Sequence, residues 1–391
     1  MSGPGRKLLA VLLLHSTLTQ VVTFVLRPTS AYRALELDVP AAWLGALTAS
    51  FAVVPLLLAI PSGQATDRFG ERRVMLVGAV LMALSGAVFW TERGGAAGLV
   101  LGSVVLGTGH LLSVVGQQAA VANTAGPGRF DTAFGHYTFA ASLGQAAGPA
   151  LITVIGGSGE LPDTTPIFAT ATALGLLLVV CTLFLRMPAR DHSGSATETG
   201  GMGTLIRLPG LLRALLISCV VLAAVDITLV YLPALGADRG LAAAFIGVLL
   251  TLRAVSSMTS RFFLGHLVRL VGRRRLMIVS VAMSAVSMAA LAAPAPPAVM
   301  AALVVVLGLG LGVGQPLTMS WLAETAPAGL RGRAMSLRLT GNRLGQVLIP
   351  SAVGLVAAGV GAAGVLAATA AALAVVGVAA RRLAVDGGPT P

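Results

Sequence analysis

Four charged residues sit where charge is costly. Asp226, Arg253, Arg338 and Arg343 each interrupt a long apolar run. An ionisable group inside a bilayer costs about 3 kcal/mol or more and marks a functional position by default. Three cations and one carboxylate allow three kinds of chemistry. The first is a buried ion pair or triad that only holds helices together. The second is a guanidinium left over to attract an anionic group. The third is a carboxylate that takes up and releases a proton. The last two combine, because protonating Asp226 would free an Arg. Asn342 lies beside Arg343. Arg338 is nearer the end of its run and is expected to snorkel to the interface.

Other polar residues share such runs. His15 carries a ring that titrates near neutral pH, or else a neutral hydrogen-bonded packing group. Arg27 lies near the end of the same run, while Tyr137, Gln145 and Gln346 fall on two further runs as candidate cavity residues. No nucleophile with a base, no phosphate loop and no HExxH-like spacing accompanies them, so an enzyme is not expected. The two cysteines, Cys181 and Cys219, form neither a disulfide framework nor a CxxC site, and no metal or cofactor is expected.

The elements that must position these residues follow from composition. Of 391 residues, 56% are hydrophobic and 10% charged. A soluble protein carries about 25% charged residues. An ordinary soluble enzyme, a disordered chain and a nucleic-acid binder are therefore excluded, despite the net charge of +12. The apolar runs predict twelve membrane helices near 8–27, 42–62, 73–91, 96–120, 132–156, 166–185, 212–235, 241–263, 275–293, 298–321, 334–358 and 361–380. The first run reads as a helix and not as a cleaved signal, since no small-residue cleavage site follows it. The polar stretch 186–211 reads as a cytoplasmic linker between an N-terminal six-helix bundle, 1–185, and a C-terminal one, 212–391, with a short tail. The N-terminus, the even-numbered connections and the C-terminus hold 19 of the 26 Lys and Arg, which places both termini in the cytoplasm.

The halves repeat each other. At an offset of 202, Gly63, Gly70, Arg72, Arg73 and Met75 align with Gly265, Gly272, Arg274, Arg275 and Met277. At 201, Gly107 and Gly109 align with Gly308 and Gly310, and Leu143-Gly144-Gln145 with Pro149 aligns with Leu344-Gly345-Gln346 with Pro350. Register kept over four helices points to an internal duplication, a signature of transporters whose substrate site lies near the midplane between halves.

Two motifs then become legible. The connection after the second run reads Gly63-Gln64-Ala65-Thr66-Asp67-Arg68-Phe69-Gly70-Glu71-Arg72-Arg73. It resembles the Gly-x-x-x-Asp-Arg-x-Gly-x-Arg-Arg motif of the major facilitator superfamily of secondary transporters. The resemblance covers essentially the whole chain and implies an all-α integral membrane protein of two pseudo-symmetric six-helix bundles. It also implies that Gly63, Asp67, Arg68, Gly70, Arg72 and Arg73 form a cytoplasmic gate that latches the halves in the outward-open state. In the second copy Arg269 replaces Asp67. The fifth run carries Gly135, Gly144, Gly148 and Pro149 and resembles the antiporter motif of the drug-efflux branches, with Ile152 in place of the last Gly. Pro149 and Pro350 are expected to kink equivalent helices. Ser103 stands where proton-coupled efflux relatives carry an Arg.

The reading is a multi-pass transporter of the bacterial cytoplasmic membrane that acts by alternating access. It is expected to export a drug or metabolite by proton antiport. Import or exchange of an organic anion is the alternative that the buried Arg favour. A non-transporting membrane sensor is a remote one, since it would be expected to carry a large soluble output domain. Expected partners are an anionic or amphipathic small molecule, protons and the lipid bilayer. No nucleic acid is expected, and the protein is expected to act as a monomer. One Lys against 25 Arg suggests a GC-rich bacterial genome.

Overall fold

A computed structural model describes residues 3–38, 41–91, 95–126, 128–157, 162–187, 202–327, 329–356 and 361–380. Every regular element among them is an α-helix. In chain order these are α1 (Gly3–Glu36), α2 (Ala41–Phe69), α3 (Glu71–Trp90), α4 (Ala96–Thr124), α5 (Phe130–Ile155), α6 (Thr164–Leu183), α7 (Met202–Ile206), α8 (Leu211–Asp238), α9 (Ala243–Phe262), α10 (Leu264–Val271), α11 (Arg273–Ala292), α12 (Pro297–Thr325), α13 (Arg331–Val356) and α14 (Gly361–Ala380). All except α7 and α10 have at least 20 residues, a length of about 30 Å at 1.5 Å per residue. In a chain this apolar, helices satisfy every backbone group internally and so suit a bilayer. Among the described residues, nine helices are long and apolar enough to cross a membrane: α1, α3, α4, α5, α6, α8, α11, α12 and α14. The other three long helices include α9, with Arg253 and Arg261, and α13, with four Arg. Most of the expected linker, residues 188–201, lies outside the described residues.

The chain forms two compact units. Unit 1 comprises residues 1–125, 140–199 and 327–337. In it α3 packs on α4 and α6, α2 on α4, and α1 on α4 and α6. Its core includes Phe89 stacked on Phe168, with ring centroids 5.4 Å apart. Unit 2 comprises residues 126–139, 200–326 and 338–391. Its pairings repeat those of unit 1: α11 on α12 and α14, α9 on α12, and α8 on α12 and α14.

Small residues set these crossings. A Cβ on Gly109 of α4 would come within 2.7 Å of the Gly78 carbonyl oxygen on α3. A Cβ on Gly310 of α12 would come within 2.6 Å of the Ser280 carbonyl oxygen on α11. A Cβ on Gly144 of α5 would meet the Thr17 carbonyl of α1, and one on Gly345 of α13 would lie 3.2 Å from the Cβ of Cys219 on α8. Each pair of crossings occupies repeat-equivalent positions, so the duplication seen in the sequence is a duplication of helix contacts.

Candidate functional site

Unit 2 holds the four charged residues that interrupt the apolar runs. Gln346 of α13 stands between Asp226 of α8 and Arg343. Its Nε2 donates to Asp226 Oδ2 at 2.7 Å, and its Oε1 accepts from Arg343 Nη1 at 3.1 Å. One amide thus reads a carboxylate with one end and a guanidinium with the other. Arg253 of α9 is 7% exposed and lies within the electrostatic field of Asp226. Among the described residues, its buried Nε has no hydrogen-bond partner. Asp226, Arg253, Arg343 and Gln346 are therefore brought together.

A second network lies on the same helices. Arg338 is 2% exposed, and its Nη1 donates to Gln315 Oε1 at 2.7 Å and to Ser218 Oγ at 3.1 Å. Ser218 Oγ donates to Asn342 Oδ1 at 2.7 Å, Asn342 Nδ2 donates to Gln315 Oε1 at 3.3 Å, and Gln315 Nε2 donates to the Ser218 carbonyl at 2.7 Å. Arg338 does not snorkel as expected. Neutral dipoles satisfy it inside the unit, and a closed hydrogen-bonded ring outcompetes the reach to an interface. Tyr137, 3% exposed, lies within electrostatic reach of Arg338. Sequence reasoning missed Ser218. Its only signal is a hydroxyl two turns before Asp226 on α8, in a run of apolar residues.

Unit 1 holds a polar network without charge. His15 of α1 is fully buried, and its Nε2 lies 2.8 Å from Thr182 Oγ1. Thr182 spends its own proton on the Leu178 carbonyl, so it accepts from His15 Nε2. Gln117 Nε2 donates to His15 Nδ1 at 2.8 Å and to Thr19 Oγ1 at 2.9 Å. Both ring nitrogens are thus engaged in one neutral tautomer. Arg27 is exposed, with its guanidinium 4.3 Å from the Phe51 ring centroid. Gln145 is exposed on α5.

The gate motif has a definite geometry. The expected loop is mostly helix: α2 runs to Phe69 and α3 begins at Glu71, with only Gly70 between them. Gly70 has φ 91°, a region that favours glycine. Asp67 Oδ1 accepts from the Gly332 backbone N–H at 2.7 Å and Oδ2 from that of Arg333 at 3.0 Å. The carboxylate therefore caps the first turn of α13, where orphan donors and the helix dipole favour negative charge. Arg333 Nε adds an ion-pair contact at 3.7 Å. Gly63 permits the approach, since a Cβ there would lie 2.7 Å from the Gly332 carbonyl. Arg72 donates to the Leu183 carbonyl at 2.8 Å, whereas Arg68 and Arg73 are exposed. Nearby, Glu71 accepts from Asn123, and Arg331 donates to Asn123 Oδ1 at 3.1 Å.

Unit 2 has a counterpart of opposite polarity that sequence reasoning missed. Arg273, the repeat partner of Glu71, pairs with Asp131 at 2.7 Å and also with Glu324, the repeat partner of Asn123. The repeat offsets were its available signal.

The α5 motif packs tightly. A Cβ on Gly135 would lie 2.5 Å from the Arg261 carbonyl, and one on Gly148 would lie 2.7 Å from Phe24 Cβ. Pro149 is exposed within α5. Pro350 falls within α13, but its side chain lies outside the described residues.

Comparison with known proteins agrees on the family. Residues 11–235 and 214–391 both match the model described as Major Facilitator Superfamily. The tetracycline resistance protein, class G, of Vibrio anguillarum is 28% identical over 179 residues. That match covers 44% of this chain, and the chain spans only 42% of that relative's length. Among solved structures, the transporter FucP in the outward conformation aligns with TM-score 0.80 at 15% identity, over 95% of this chain and 97% of that one. The human organic anion transporter MFSD10 aligns with TM-score 0.77 at 17% identity, over 97% of this chain and 100% of that one. At such identities these two show the fold alone.

Proposed function

The chain belongs to the Major Facilitator Superfamily, and from that premise we propose that it exports a small drug or metabolite by alternating access in exchange for protons. It is a multi-pass membrane transporter and not an enzyme. In this proposal its twelve long helices are twelve spans, both termini are cytoplasmic, and the membrane is the bacterial inner one.

The observation that carries the proposal is the Asp226–Gln346–Arg343 chain. A half-buried carboxylate that shares one amide with a cation has two states. Ionised, Asp226 accepts from Gln346 and offsets the nearby Arg. Protonated, it loses its charge, and the cations are left uncompensated until something else compensates them. Uptake of a proton thus alters what the site binds, and exchange follows for a substrate whose binding the added positive charge weakens. Export is the direction suggested by the glycines of α5 and by the tetracycline-resistance relative. Asp67 on the first turn of α13 is the proposed cytoplasmic latch.

The test is transport by the full chain in proteoliposomes under an imposed pH gradient, with tetracycline as the first probe. Wild type is expected to accumulate the probe at the expense of the gradient. Asp226→Asn is expected to lose gradient-driven accumulation by roughly tenfold or more while retaining exchange down a gradient. Equal gradient-driven transport in both proteins would sink the proton role of Asp226. Movement in the opposite sense would make the protein an importer.

A further inference from the structure

We infer that the exposed face of α10, with the arginines that follow it, is a binding surface for the headgroups of anionic phospholipids. The inference is independent of substrate and direction and needs only that the chain lies in a bilayer. The second copy of the gate motif falls within residues 261–275, the counterpart of 59–73 at the offset of 202. Residues 59–73 hold three Arg against two carboxylates, Asp67 and Glu71, whereas 261–275 hold five Arg and no carboxylate. Arg269 stands where unit 1 has Asp67, and Arg273 where it has Glu71. Asp131 of α5 and Glu324 of α12 pack against this segment, and both pair with Arg273. Arg261 is half-buried, and its Nε donates to the Gly312 carbonyl at 3.4 Å. His266, Arg269, Arg274 and Arg275 are exposed.

The backbone changes together with the charge. Residues 62–69 simply continue α2, whereas in unit 2 the helix breaks at Phe263 and α10 starts afresh. Residues 62–69 include two apolar side chains, Ala65 and Phe69; α10 has five, Leu264, Leu267, Val268, Leu270 and Val271. Gly265 presses α10 onto α5, since a Cβ there would lie 3.1 Å from the Thr132 Cα, and Leu264 is buried beside it. Apolar residues nevertheless remain on the other side: Phe263 is 51% exposed and Leu270 68%. With Leu267 they recur at four and three residues, which is one side of a helix, and His266 and Arg269 border them. An apolar stripe edged by cations on a surface helix suits the boundary between acyl chains and headgroups, with the stripe toward the chains and the guanidinium toward the phosphate. The charge selects the lipid. A guanidinium pairs well with a phosphate, a zwitterionic headgroup adds an ammonium that opposes it, and each cation near an anionic surface is worth about fivefold in binding.

The test uses the full-length protein in lipid nanodiscs of phosphatidylcholine with about one phosphatidylglycerol in five lipids. Phe263→Trp places a fluorophore on the exposed side of α10, and wild type corrects for Trp43, Trp90 and Trp321. Bromine is carried either by the phosphatidylglycerol or by an equal number of phosphatidylcholine molecules, so that the overall composition stays constant. Brominated phosphatidylglycerol is expected to quench the reporter as if enriched at least about fivefold beside it. Arg269→Gln combined with Arg275→Gln is expected to bring the two lipids to near equality. Arg186→Gln removes an exposed cation from unit 1 and is expected to leave the enrichment unchanged. Equal quenching by the two lipids in the otherwise unaltered chain would overturn the inference. So would a preference that survives the double substitution, or one that Arg186→Gln abolishes as fully, because net charge alone would then suffice. Quenching by neither lipid would turn α10 away from the bilayer, as an acidic protein partner would require, and overturns it too. Displacement of the lipid by excess soluble glycerol phosphate would make this a free-phosphate site and not a lipid surface. If Phe263→Trp does not fold, Leu270→Trp reports from the same side.

Discussion

Unit 1 and unit 2 cross their helices at the same repeated glycines but fill the space between those crossings with different chemistry. Gly109 and Gly310 hold α4 to α3 and α12 to α11 at the same repeat position. Gly107 and Gly308 do the same against Phe51 and Arg253. Yet unit 1 has Phe51 where unit 2 has Arg253, and Phe24 where unit 2 has Asp226. Its polar centre is His15, Gln117, Thr19 and Thr182, all neutral. Unit 2 concentrates ions. Close approach depends on the absence of side chains, so it constrains few positions, and the remainder are free to diverge after duplication. One copy thus keeps the scaffold as a hydrogen-bonded frame, while the other carries charges that can bind or be neutralised.

That contrast predicts unequal costs for the same substitution. Gln315→Leu removes an acceptor 2.7 Å from the buried Arg338 guanidinium and should destabilise by about 3 kcal/mol, because a buried charge loses part of its compensation. Gln117→Leu strips a donor from neutral His15 and Thr19 and should cost only about 1 to 2 kcal/mol. Thermal unfolding in the same nanodiscs measures both, and equal losses would break the contrast. The shared scaffold predicts the reverse pattern. Gly144→Val and Gly345→Val should each cost about 2 to 3 kcal/mol, within error of one another, because both force a branched side chain into an occupied crossing. A large difference between them would show that the two copies no longer pack alike. The smallest effect belongs to Asp67→Asn. It keeps an acceptor on the first turn of α13 but removes the charge, for about 1 kcal/mol. Amide exchange of Gly332 and Arg333 should rise by roughly fivefold, and unchanged exchange would argue against the cap.

The helices were legible because long apolar runs between Gly, Pro and charge permit little else. The α2–α3 turn was legible as a motif but not in its form. Asp67 and Arg68 read as loop residues, whereas the helix continues through them, since a carboxylate three residues from a helix end fits the last turn as well as a loop. The ring of Arg338, Gln315, Ser218 and Asn342 was less legible, for a different reason. Helices such as α8 and α12 are apolar on the side that meets protein and on the side that meets lipid, so periodicity does not show which face is inside. Without that, Ser218 and Gln315 could not be assigned to one cluster. Asp226, Arg253 and Arg343 stood out because charge in an apolar run is conspicuous whichever way it faces. Gln346, which joins two of them, was one of several similar glutamines.

The cap made by Asp67 has a genetic consequence. Two of its partners are main-chain amides, and no codon change alters the polarity of an amide. A strain that loses the carboxylate therefore cannot regain it by swapping charges at positions 332 and 333, as it could if a pair of side chains were responsible. Gly332 is restricted as well, since a Cβ there would lie 2.5 Å from the Asp67 oxygen. Reversion screens on an Asp67 mutant should return changes at codon 67 itself, or changes elsewhere that alter the balance between transport states, and no compensating partner across the contact.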